Sequence, residues 1–222
     1  MNDIRSRLPR YTSSGAPVTP EMVVRVRLRE LHTFTHTGQF DRVAATHRFT
    51  DPRAFDRFVD VLLDIGGIDY DGLRRVEAAD RATAERVAAA ARHGPRFTVW
   101  SAATLTGFTV CRCDGEVIWR DRFHGRLGGF DAAQLSAQHA IWLAGRAREH
   151  LGAEAATVDL RLARGRGLDE QALHREALSA ALVLETTVTA LHNPAAEHSH
   201  DIDVVDWHTC DLSTLHHIQD PP

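Results

Sequence analysis

The sequence contains no lysine. All 26 of its basic residues are arginine, so every fixed cation is a planar fork suited to carboxylates and phosphates rather than a compact point charge. No stretch approaches the roughly 18 apolar residues of a membrane span. The start, M-N-D-I-R-S-R-L-P-R-Y-T-S-S-G-A-P, lacks the apolar core of a signal peptide. A cytoplasmic protein without a membrane partner is the expectation. Cysteine is scarce, and Cys111, Cys113 and Cys210 make an odd number, which fits reduced thiols rather than a disulfide framework. Cys111 and Cys113 are too close for a C-x-x-C knuckle and read as two strand residues sharing a face. Neither sign of charge dominates: the net charge is −4. That argues against global nucleic-acid binding and leaves room for a local basic patch.

What is present is an ordinary globular composition. The 222 residues are 43% hydrophobic and 25% charged, enough to bury a core and unlike a disordered chain. Residues 1–20, with Gly15, Pro17, Pro20 and a Ser/Thr cluster, read as a flexible arm. Residues 21–94 read as a small β-β-α(-α) domain. In Met22 to Leu31, Val24, Val26 and Leu28 alternate with Arg25, Arg27 and Arg29, the pattern of a half-buried strand with an arginine stripe. Gly38-Gln39 reads as a turn, and Phe40 to Thr50 as the partner strand. Asp51-Pro52 then caps a helix that Gly66-Gly67 stops.

Residues 95–212 read as a second, α/β domain, and 213–222 as a tail. Arg96 to Trp100, Gly107 to Cys113 and Glu116 to Phe123 form three strands, with Asp114-Gly115 as a hairpin turn. Asp131 caps a helix to about His150, and Thr157 to Leu162 alternates as a strand. Asp169 caps a long helix to about His192, and Asp201 to Trp207 reads as the last strand. The whole is an α+β or α/β chain: a mixed sheet flanked by helices behind a small hairpin-plus-helix domain.

Three antiparallel strands followed by alternating helix and strand resemble the ribonuclease H-like superfamily over roughly residues 96–212. Ala137-Gln138-His139-Ala140-Ile141-Trp142-Leu143-Ala144-Gly145 is similar to the first helix of bacterial and plant-type members, typically A-E-Y-A-A-L-I-A-G. The resemblance implies a nuclease in which four carboxylates hold two divalent metals. It also implies that those acids are missing here. The first falls at Ser101 or a neighbour, the helix glutamate at Gln138, and the acid ending the fourth strand at Ala163 or Arg164. Only the last has a counterpart, Asp211 or Asp206. The member is then a degenerate, non-catalytic one that needs no cofactor.

Two arginine groups suit phosphates: Arg25, Arg27 and Arg29 with Arg42 and Arg48 on the neighbouring strand, and Arg161, Arg164 and Arg166 in a Gly-rich connection. The tail concentrates metal-ligand chemistry in His198, His200, Asp203, His208 and Cys210, though their spacing matches no zinc module. His32 and His36, four apart, share a strand face that His47 could join. The first reading is a non-catalytic ribonuclease H-like binding or assembly module for nucleic acid or a protein partner. Two readings stand beside it: a divalent-metal hydrolase or nuclease built on the tail cluster, and a structural homo-oligomer subunit.

Overall fold

The computed structural model describes residues 18–216. Of the arm expected at 1–20, residues 1–17 lie outside the described residues; of the expected tail, residues 217–222 do. The chain divides into two compact units between Ala82 and Thr83, within a helix, rather than at the expected position 94/95.

The N-terminal unit corrects the expected hairpin. Its described residues form helices α1 (Pro20–Leu31), α2 (Thr37–Thr46) and α3 (Pro52–Asp64), then the start of α4 (Tyr70–Ala91), with no strand. The alternation around Val24, Val26 and Leu28 misled because a helical stripe runs through the same segment. Val23, Val24 and Leu31 are fully buried while Val26 is 65% exposed, the three-and-four spacing of one helix face. Proline at the first helical position starts α1. The expected Gly38-Gln39 turn lies in the first turn of α2, where Gln39 reaches back to the His36 backbone as half of a capping box. Asp51 accepts from the Ala54 amide at 3.0 Å and starts α3 as expected. The helices close on Phe40, Phe58, Leu31 and Leu62, with Phe34 edge-on to Phe40 at 5.1 Å.

The C-terminal unit is a five-stranded mixed open sheet flanked by helices. Its strands are β1 (Arg96–Ala103), β2 (Gly107–Cys111), β3 (Val117–Arg122), β4 (Ala156–Leu162) and β5 (Leu182–Val188), in the order β3-β2-β1-β4-β5. β1, β2 and β3 pair antiparallel. β4 pairs parallel with β1 and with β5, connections that require crossovers. Helices α5 (Gly129–His150) and α6 (Glu170–Ser179) supply them. Both pack on one face, where Ala137, Ala140, Ile141 and Ala144 of α5 and Leu173 of α6 meet Phe97, Val99, Val158 and Leu160. Small residues on α5 let it approach the sheet closely. The short α7 (Pro194–Glu197) covers part of the other face, placing Ala195 against Ala102 and Cys111.

Three expectations fail here. The long helix expected from Asp169 to His192 ends at Ser179. Ala181 turns the chain with φ 54°, and β5 follows. Leu182 and Leu184 enter the core while Val183 faces away, a two-residue period suited to the β-branched run of Val183, Thr186, Thr187 and Val188. The strand expected at Asp201 to Trp207 reduces to one bridge, Arg120 with Val205. Cys111 and Cys113 do not share a strand face, because β2 ends at Cys111. The Asp114-Gly115 turn is as expected, with Gly115 at φ 92°. Among the described residues no helix is long and apolar enough to cross a membrane.

Candidate functional site

The C-terminal ends of parallel strands are where open α/β sheets leave a crevice. Here β1, β4, the start of α5 and the segment after α7 enclose a cavity of about 130 Å³. Ser101 of β1, Ser136 of α5, Ala163 and Arg164 after β4, and Ala196 and Ser199 line it.

Ser101 and Ser136 are buried and touch, Oγ to Oγ at 2.7 Å. Ser136 Oγ also donates to the Ala102 carbonyl at 3.0 Å. A hydroxyl has one proton, so with that proton on Ala102 the Ser101 hydroxyl is the donor of the pair. The fold brings these groups together by simple periodicities. On β1, Val99 and Ser101 point to the α5 side while Ala102 points to α7. On α5, Ser136 lies on the buried stripe with Ala132 and Ala140.

The sequence-based site residues divide. Ser101, Ala163 and Arg164 line the cavity. Gln138 does not. It lies two residues round the helix from Ser136, on the side of Glu176 of α6, whose carboxyl burial pushes above its usual range. Asp211 is also elsewhere. It lies with His150 in a groove at the far end of α5, about 20 Å along that helix from Ser136. Ser136, Ala196 and Ser199 were missed. The signal for Ser136 was a hydroxyl on the apolar stripe of an alanine-rich helix. Ala196 and Ser199 had none, because β5 was read as helix.

The cavity does not fit a divalent metal. It offers three neutral hydroxyls and a guanidinium, and no carboxylate, imidazole or thiolate, whereas hard divalent cations take anionic oxygen ligands. The tail cluster is also dispersed. His198 Nδ1 lies 3.0 Å from Asp201 Oδ2, an oxygen that Arg120 also meets at 3.0 Å. His208 bonds Asp206 at 2.7 Å and stacks on Trp207. Cys210 donates to the Ile118 carbonyl, while His200 and Asp203 line a groove beside Arg120 and Arg122. Among the described residues no three His, Cys, Asp or Glu side chains come together to hold a metal ion. His36 caps α2, 3.5 Å from Glu77, so the expected histidine face on a strand does not form.

The arginines also separate. Arg25, Arg27 and Arg29 stand on a helix, not a strand. Arg25 and Arg29, one turn apart, are exposed together, while Arg27 pairs with Glu30. Arg42 bonds the Gly38 carbonyl, and Arg48 is an exposed residue at φ 63°. Arg161 pairs with Asp159 and lies over Trp100. Arg164 and Arg166 are exposed on the loop after β4 and make no ion pair among the described residues. In comparisons with known proteins, no family model matches the chain and no curated protein is similar to it.

Proposed function

We propose that the C-terminal unit is a degenerate ribonuclease H-like domain that binds nucleic acid without cutting it. One observation carries this reading: the crevice where β1, β4 and α5 converge is lined by Ser101, Ser136, Ala163 and Arg164 and holds no acid. In the superfamily that the strand order resembles, metal-holding carboxylates belong at such a place. A site stripped of acids and given an unpaired guanidinium attracts phosphate and repels divalent metal. The exposed arginines of the adjoining loop extend the same chemistry.

The test is binding of labelled RNA–DNA hybrid, duplex DNA and single strands in chelator across a salt series. Binding that weakens with salt, and that weakens further in an Arg164→Gln/Arg166→Gln variant, supports the reading. Binding that is absent, or unchanged in the variant, refutes it.

A further inference from the structure

We propose that the Ser101–Ser136 cavity is an anion pocket that takes the terminal phosphate of a nucleic-acid strand. The inference rests on the nucleic-acid reading above and names the group that the crevice grips. Among the described residues, Arg164 is the only charged one lining the cavity. Other arginines of the same unit, such as Arg96, Arg112, Arg120 and Arg146, each meet a carboxylate. Arg164 meets none among the described residues, so its charge is uncommitted. Its position is defined: a Cβ on Gly129 would lie 3.0 Å from Arg164 Nη1, so glycine there lets the guanidinium rest against the cavity wall. Asp131, the nearest acid of α5, turns back onto Gly128 and does not line the cavity.

Size and charge select the group. The cavity's volume of about 130 Å³ corresponds to about four waters. That is room for one tetrahedral oxyanion. A phosphomonoester carries about −1.5 to −2 charge at pH 7, more than a backbone phosphodiester, so a lone guanidinium favours a strand end over its interior. The Ser101, Ser136 and Ser199 protons are already committed, to Ser136, to the Ala102 carbonyl and to the Ala196 carbonyl, so Arg164 carries the recognition of charge and the hydroxyls shape a neutral wall. The rim fits the rest of a strand. Phe130 is 53% exposed with its ring against Gly167, a face on which a base can stack. Arg166, on the same loop, is placed for the next phosphate.

The experiment measures anisotropy of one short labelled DNA strand in chelator, prepared with a 5′-phosphate, a 3′-phosphate or hydroxyls at both ends. The expected result is tighter binding of one phosphorylated form by about tenfold or more. Arg164→Gln, an exposed substitution that leaves the core untouched, abolishes that preference, and inorganic phosphate competes for it. Equal binding of all three strands overturns the inference and leaves the nucleic-acid reading standing. A preference that survives in Arg164→Gln overturns it as well, and failure of every strand to bind overturns both.

Discussion

Replacing Ser136 with alanine removes a hydroxyl that is almost wholly shielded from solvent. Ser136 and Ser101 are 1% and 2% exposed. Ser136 accepts from Ser101 and donates to the Ala102 carbonyl. Alanine at 136 therefore strands the Ser101 proton and withdraws a donor from Ala102, a loss of about 1–3 kcal/mol. Alanine at 101 is milder, about 1 kcal/mol, because Ser136 keeps its bond to the backbone. In the double variant no hydroxyl is left stranded, so its loss falls short of the sum of the singles by about 1 kcal/mol. The assay is urea unfolding followed by tryptophan emission. Trp100, Trp119, Trp142 and Trp207 are all the tryptophans of the chain and all lie in the C-terminal unit, so the signal reports on that unit alone. Additive single losses, or a Ser136→Ala variant as stable as the parent, refute the buried hydroxyl pair.

Tyr70 donates to Asp41 at 2.7 Å, and burial first, then Asp41, push its hydroxyl from 10.0 up to about 12. The folded chain holds that proton where the unfolded chain has lost it. The contribution is complete below pH 10 and disappears as the pH rises toward 12. An ultraviolet titration of tyrosinate therefore shows a late component that Tyr70→Phe removes; its absence contradicts the contact. Cys111 is fully buried and burial pushes its thiol up to about 12, so in labelling at pH 8 followed by peptide mapping it reacts only after unfolding. Asp201 lies between His198 and Arg120, and its carboxyl is held below the usual range, chiefly by the His198 hydrogen bond. Asp201→Ala is expected to speed amide exchange at Val205, whose N–H bonds the Arg120 carbonyl, and an unchanged rate contradicts a role for Asp201 in holding that segment.

Much of the C-terminal unit was legible because its signals are local. Asp114-Gly115 marks a hairpin, Asp169 caps a helix, and Val158, Leu160 and Leu162 alternate along a strand. The N-terminal unit was misread where two periods coexist in Met22–Leu31 and only packing decides between them. β5 was hidden because Glu170–Ser179 is a good helix and nothing but the turn at Ala181 separates it from the strand. The cavity was half legible. Ser101 and Arg164 were named through the resemblance to the ribonuclease H-like layout, whereas Ser136, two residues from Gln138 on α5, was not. Ser199 depends on a connection after β5 that the sequence pattern did not mark. The tail histidines showed the converse: ligand-type residues close in sequence, tied in the structure to separate partners.

On the proposed function, this crevice binds nucleic acid and performs no metal-dependent hydrolysis. The most direct measurement incubates end-labelled RNA–DNA hybrid with the protein in Mg²⁺, in Mn²⁺ and in chelator, and resolves each sample on native and denaturing gels. The proposed function predicts a shifted complex in all three, no stronger with metal than in chelator, and full-length strands throughout. Cleavage that requires either metal, or a complex that forms only when metal is present, contradicts it.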